Sequence, residues 1–257
     1  MAVKSAARVM DVLDLLREHP DGMTLQELCN ELEIPKSSMH ELLYTMNERN
    51  YLIQSESKKY SLGFKLIELG LASLDKVNVY QVAKQHMLKL VNLLEETVFM
   101  AVCVDDEIVY VNKMECSRSV RTNVILGGHK PMHCTALGKS FLANISSKEV
   151  ERVVHRKGLP AFTSRTITDF KILLKELEHV RQRGIAYDNQ EIEVGLTCVA
   201  SPIFDYSGKV IAAISLAGPT ERIEQRKHEI EPLLRQNALQ VSVEMGYRPK
   251  LNEYVNK

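Results

Sequence analysis

Gly138-Lys139-Ser140 carries the last three positions of a phosphate-binding loop, in which backbone amides and a lysine cradle a nucleotide's phosphates. That pattern also requires a glycine at the position held by His133, so the glycine turn is missing and the stretch reads as helix. His129 and His133 stand four apart, a spacing that could bring two imidazoles onto one metal, but Pro131 interrupts the helix that would do so. Cys134 beside His133 offers a thiol and a base, yet sequence neighbours need not hydrogen-bond and no third group is evident to orient the ring. Cys134 and Cys198 read as packing residues. Ser55 and Lys58 mimic a serine–lysine pair but fall in a turn. No complete catalytic constellation results, so the expectation is no enzyme, no metal and no cofactor. A different chemistry is better supplied. Lys36, Ser37, Ser38, His40 and Glu41 crowd the front of one short helix, where hydroxyls can bond base edges or phosphates and lysine can contact phosphate or guanine in a major groove.

The elements around that cluster suit the task. Thr24 and Glu27 form a capping box that starts a helix with Leu25, Leu28 and Leu32 on one face. Glu33-Ile34 makes a turn, and Pro35 opens the next helix, whose buried stripe is Met39, Leu42, Leu43 and Met46. Asn50 can take the left-handed conformation that ends a helix. Tyr51 to Gln54 and Lys59 to Leu62 then read as a hairpin around Ser55 to Lys58. Upstream, Ser5 could cap a helix running to about His19, with Val9, Val12, Leu13 and Leu16 inside. Three helices and a hairpin describe a winged helix-turn-helix over residues 1–63, with Arg49, Lys58 and Lys59 beside a DNA backbone. Use of this domain for protein contact is the competing reading.

Charge resists this picture. The chain balances 33 basic against 33 acidic residues, and residues 1–75 hold 8 basic against 12 acidic, a net of −4, where a DNA-binding domain is usually basic. With so few phosphate partners per subunit, useful affinity calls for two or more subunits on one palindromic operator. The five cysteines lack paired metal spacing and suit reduced thiols. No apolar leader or membrane-length run appears, so the expected location is the cytoplasm, with no membrane partner.

A helical connector follows, from Phe64 through Leu74 and then from about Val79 to Glu95; residues 64–78 are assigned as linker and 79–257 as an effector-binding and oligomerisation domain. Leu66, Ile67, Leu69, Gly70, Leu71 and Leu74 are too apolar for a solvated linker, so packing against a second subunit or within the chain is expected. Beyond Val98 the pattern is mixed. Val98 to Val104 and Ile108 to Val111 form a hairpin; Thr135 to Asn144, Ser147 to Lys157 and Asp169 to Arg183 read as helices. Ile185 to Tyr187, Thr197 to Phe204 and Lys209 to Leu216 read as strands, and a terminal helix from Glu221 is disturbed near Pro232. The expected class is α+β, an antiparallel sheet with helices packed on it. Free amides from Cys134 to Leu137, where a helix opens after Pro131, could seat a carboxylate.

Several runs resemble the IclR family of bacterial transcriptional regulators. In the first half they are Met23 to Leu28, Ile34 to Leu43, Tyr60 to Gly63 and Leu69-Gly70. In the second they are Pro131 to Ala143, Arg181 to Asp188, Gly195 to Pro202 and Ile211 to Pro219, so the likeness spans nearly the whole chain in family order. The resemblance implies a GAF-like effector domain and nominates Ala136, Leu137, Asp188, Cys198, Ser215 and Ala217 as effector-binding residues. It also implies a homodimer or dimer of dimers acting as a ligand-responsive regulator, in first place a repressor, of genes for small-acid or carbon-source metabolism. The polarity of those residues suits a small hydroxy- or keto-acid. Two departures matter. Glu41 stands where the family pattern commonly carries arginine, and Ala217 where some relatives place a serine, so neither operator nor effector can be borrowed from relatives.

Overall fold

The structure is a computed structural model that describes residues 3–75 and 79–248; for Leu71 and residues 73–75 only the backbone is described. The chain divides into two compact units, Met1–Val77 and Asn78–Lys257.

In the first unit, α1 (Lys4–Glu18), α2 (Leu25–Leu32) and α3 (Lys36–Glu48) close around Val12, Leu16, Leu28, Met39 and Leu43, all buried. The capping box forms at both of its bonds: Glu27 N donates to Thr24 Oγ1 at 3.3 Å and Thr24 N donates to Glu27 Oε2 at 2.7 Å. Glu33 turns the chain at φ 51 and Asn50 at φ 61, each in the left-handed region that ends a helix. Two local expectations are corrected. Val3, not Ser5, stands at the N-cap of α1 and supplies no side-chain acceptor, and Pro35 is the N-cap of α3 instead of its first helical residue. The hairpin is β2 (Leu52–Gln54) and β3 (Lys59–Leu62), and β3 also pairs with β1 (Met23–Thr24), a third strand too short to show any alternation in sequence. Helix α4 (Phe64–Asp75) follows, with Phe64, Ile67 and Leu69 exposed. Residues 76–78 of the expected connector and the side chains of Leu71 and Leu74 lie outside the described residues.

The second unit starts with α5 (Val79–Leu94) and the hairpin of β4 (Thr97–Val104) and β5 (Glu107–Met114), turned at Asp105 and Asp106, both at positive φ. The short strand β6 (His129–Pro131) follows, and then α6 (Ala136–Leu142), α7 (Ser147–Lys157) and α8 (Phe170–Arg183). Strands β7 (Ala186–Asn189), β8 (Leu196–Phe204) and β9 (Val210–Pro219) complete one antiparallel sheet in the order β6-β5-β4-β9-β8-β7. The chain closes with α9 (Thr220–Gln225) and α10 (Lys227–Glu244).

Alternation along β9 sorts the two faces of the sheet. Ile214 and Leu216 join Met87, Leu90 and Leu94 of α5 and Ile230, Leu234 and Val241 of α10 in one core. Ala213 looks the other way, toward Leu137, Phe141 and Leu142 of α6 and Leu173 and Leu177 of α8. The expected break at Pro232 is not there. Pro232 lies inside α10 and the helical run breaks at Arg226, whose guanidinium reaches back to the Leu94 carbonyl at 2.6 Å, one of the carbonyls that the end of α5 leaves without an intrahelical partner.

Gly138 lets α6 lie against the segment before it: a Cβ added there would stand 2.3 Å from both the Cα and the carbonyl oxygen of Met132. Gly138→Ala should therefore lower the unfolding free energy of this unit by about 3 kcal/mol or more, at the upper end of overpacking effects. Urea unfolding of the second unit checks it, and an unchanged midpoint would show that α6 can move away freely.

Candidate functional site

Two regions carry the polar chemistry. On α3, Lys36, Ser37, His40 and Glu41 are exposed and Ser38 is half-buried; Arg49 and Lys58 are exposed and Lys59 is half-buried. At 100° per residue, positions 36, 37, 40, 41 and 44 share one outward face opposite the buried Met39, Leu43 and Met46. Tyr44 belongs to that face with 61% of its surface exposed, and the sequence reading passed over it although it stands one turn beyond His40. Pro35 offers the helix no side-chain cap, so among the described residues the first amides of α3 keep no acceptor and can meet a phosphate. The wing tip is held by its own bonds: Ser55 Oγ pairs with Ser57 Oγ at 2.8 Å and accepts Lys59 N at 3.2 Å, while Lys58 sits at φ 59. Ser55 is thus a turn residue, not a nucleophile.

The second region is a cavity of about 100 Å³ on the α6 face of the sheet, and all six residues nominated for an effector line it: Ala136, Leu137, Asp188, Cys198, Ser215 and Ala217. Strand register brings them together. Asp188 pairs with Cys198 and Cys198 with Ala217 in one row across β7, β8 and β9, and Ser215 lies in the next row between Ala200 and Phe99. Further lining comes from Tyr110, Thr122, Asn123, Lys130 and Glu193. Of these, Tyr110 was accessible to alternation from Ile108 on β5, whereas nothing in the sequence marks the irregular stretch holding Thr122 and Asn123. Among the described residues that line the cavity, Lys130 is the one cation.

Details shift the expected seat. Thr135 is the N-cap of α6, accepting Gly138 N at 3.1 Å and donating to the Pro131 carbonyl at 2.8 Å, so Cys134 stands before the helix. The amides left without an intrahelical acceptor are those of Ala136 and Leu137. Asp188 Oδ1 accepts the amides of Glu191 at 2.7 Å and Ile192 at 3.4 Å, so one of its oxygens serves its own loop.

The fragments set aside from sequence have structural duties. His133 Nε2 bonds the Pro160 carbonyl at 3.1 Å, while His129 lies on β6 with Nδ1 2.9 Å from Glu107. Among the described residues, no group of three or more His, Cys, Asp or Glu could hold a metal. Burial pushes the Cys134 thiol up to about 12, and burial with the adjacent Asp188 raises Cys198, so both stay protonated. Ser140 Oγ bonds the Ala136 carbonyl, and Lys139 is buried, paired with Glu191 and donating to the Tyr187 carbonyl at 2.8 Å.

Burial also pushes the Asp188 carboxyl up to about 6, with Glu191 repulsion adding and Lys139 opposing. A carboxyl raised above its unfolded value contributes stability that is complete below about pH 4 and lost as pH rises through 6, on the order of 2–3 kcal/mol. Asp188→Asn should remove that decline. Comparing urea midpoints of the two proteins at pH 4 and pH 7 tests it, and identical pH dependence would contradict the assignment.

Residues 5–56 match the IclR helix-turn-helix domain and residues 71–243 match the bacterial transcriptional regulator IclR C-terminal domain. The chain is 36% identical over 249 residues to the HTH-type transcriptional regulator KdgR of Escherichia coli K12, covering 96% of this chain and 94% of that one. It is 32% identical over 248 residues to the transcriptional repressor IclR of the same organism, covering 95% and 90%. The crystal structure of an IclR homolog complexed with 4-hydroxybenzoate, from Microbacterium hydrocarbonoxydans, matches with a TM-score of 0.85 at 26% identity, covering 94% of this chain and 99% of that one. The chain belongs to the IclR family and is a DNA-binding transcriptional regulator, not an enzyme.

Proposed function

We propose that this regulator is an effector-responsive repressor, that its effector is a small hydroxy- or keto-acid held in the α6-face cavity, and that it controls genes for using such an acid. The observation that carries the reading is the convergence of Ala136, Leu137, Asp188, Cys198, Ser215 and Ala217 on one cavity from four separate stretches of chain. In it, the ligand's carboxylate sits at the Ala136 and Leu137 amides and the Ser215 hydroxyl, with Lys130 adding positive charge at the edge strand. The Asp188 oxygen not used by the loop accepts from a ligand hydroxyl or hydrated carbonyl. The likeness to a relative crystallised with 4-hydroxybenzoate supports an acid as the ligand class.

The DNA contacts follow the same logic. Ser37, Ser38 and His40 read base edges; Lys36, Arg49, Lys58 and Lys59 hold phosphates; Glu41 accepts from a cytosine amino group. Residues 1–63 act as the DNA-binding domain, 64–78 as linker and 79–257 as the effector-binding and oligomerisation domain. Phe64, exposed over 74% of its surface, together with Ile67 and Leu69 makes α4 a surface for a second copy, giving a homodimer or dimer of dimers that sets two recognition helices on a palindromic operator. A coupling of about 1–3 kcal/mol between cavity and operator suffices to change occupancy several-fold or more.

Selecting bound fragments from genomic DNA, with and without keto-, sugar and aromatic acids, tests the whole reading. The expected result is a fragment beside genes of acid or carbon-source metabolism that is released by one class of acid, the same acid raising the melting temperature. No fragment preference at low salt, or indifference to every acid, would overturn it. On the selected operator, Lys36→Ala and Lys58→Ala should each weaken binding about uniformly across sequences and reduce the salt slope by about one, whereas Glu41→Arg should steepen it. Salt slopes unchanged in all three would remove this face from the DNA.

A further inference from the structure

Lys139 is the least expected side chain in the second unit. It belongs to the Gly-Lys-Ser run that imitates a phosphate loop, yet its side chain is only 1% exposed, and its Nζ points away from solvent to the Tyr187 carbonyl at 2.8 Å and to Glu191. A buried ammonium is tolerated only where it is paired and hydrogen-bonded, so what surrounds it is informative. Glu191 is equally buried, and its other oxygen, Oε2, has no hydrogen-bond partner among the described residues. Asp188 stands beside them with Oδ1 holding the Glu191 and Ile192 amides. The stretch that these three residues organise continues into Ile192, Glu193 and Leu196 of the cavity lining, and Lys139 lies one turn beyond Ala136 on the helix that forms the opposite side.

We propose that Lys139 is the positioning residue of the cavity: from behind, it ties the 188–193 wall to α6 and sets its positive charge against the two buried carboxylates of that wall, Glu191 in direct contact and Asp188 beside it. Without it those carboxylates would repel one another in a medium of low polarity, and the wall that carries the ligand's hydrogen-bond acceptor would swing away or take up protons. The groups facing Asp188 are Lys139 from α6, Cys134 just before it, Tyr110 from β5, Cys198 from β8 and Glu191 from its own loop. Lys139 and Glu191 act on it with opposite sign. The proposal rests on reading this cavity as the effector's, but its test contains no ligand, so failure to find an effector and failure of this proposal are separate results.

The test uses the full chain with aspartate labelled by carbon-13 at Cγ, following the Asp188 resonance against pH while amide hydrogen exchange is measured by mass spectrometry. Lys139→Met should raise the Asp188 midpoint by about one pH unit or more, and Glu191→Gln should lower it. In Lys139→Met, peptides covering 188–196 should exchange faster while those of α5 and α10 keep their protection. Should Lys139→Met fail to fold, Lys139→Met/Glu191→Gln removes both charges together, and Glu191→Gln alone still reads the coupling. Equal midpoints in wild type and variants, shifts of the same sign, or unchanged exchange at 188–196 would overturn the proposal, because a lysine that only fills space predicts those results.

Discussion

Small side chains on one face of the six-stranded sheet are the constraint from which the second unit follows. Ala101, Ala186, Ala200 and Ala213 leave that face shallow enough for α6 to lie on it, and Gly138 lets the helix press against the Met132 backbone. Bulkier floor residues would lift α6 and fill the space at its start. The same alternation that puts alanine toward α6 puts Ile214 and Leu216 toward α5 and α10, so one face of the sheet supplies depth of core and the other supplies room. The cavity lies where the helix begins, which is also where a helix keeps amides free.

Electrostatics divide the molecule in a second way. The first unit is net acidic, and the cations proposed to meet a duplex, Lys36, Arg49, Lys58 and Lys59, lie on α3, at its end and on the hairpin, exposed except for the half-buried Lys59. Such charges act over about one Debye length and are weakened by salt. The second unit does the reverse around its cavity: Lys139, Glu191 and Asp188 are almost wholly out of water. Interactions there are stronger and unscreened, and an unmatched charge is correspondingly destabilising. Under the proposed function each arrangement suits its partner, a polyanion met in solution or a single small molecule enclosed.

Much of this was legible in the sequence because it depends on local rules. The Thr24–Glu27 box, the left-handed Asn50, the hairpin at Asp105-Asp106 and the alternation of β8 and β9 are encoded within a few residues of where they act. What could not be read depends on partners distant in the chain. Strands β1 and β6 are two and three residues long and exist only because β3 and β5 offer them edges. The helix break falls at Arg226 and not at Pro232 because Arg226 finds the end of α5, more than a hundred residues away in sequence. The six cavity residues were named through resemblance, and register explains why they meet. Lys139 reads from sequence only as part of a helix, and its role stays hidden there because only the fold supplies Glu191.

That last case bears on how binding could reach the DNA. A ligand shifts an equilibrium only by its difference in affinity between two arrangements, so contacts that are the same in both add affinity and no switching. The floor of the cavity is shared with the apolar cluster under α6 and α8 and can differ little without losing that packing. The 188–193 wall has another composition: backbone held by the Thr163 and Thr166 hydroxyls and by Asp188, and a charge pair whose strength depends on its geometry. In a low-dielectric setting a small displacement of such a pair changes its energy far more than the same displacement changes an apolar contact. Under the proposed function, then, affinity belongs to the alanine floor and the helix start, and sensitivity belongs to the buried charges behind the wall.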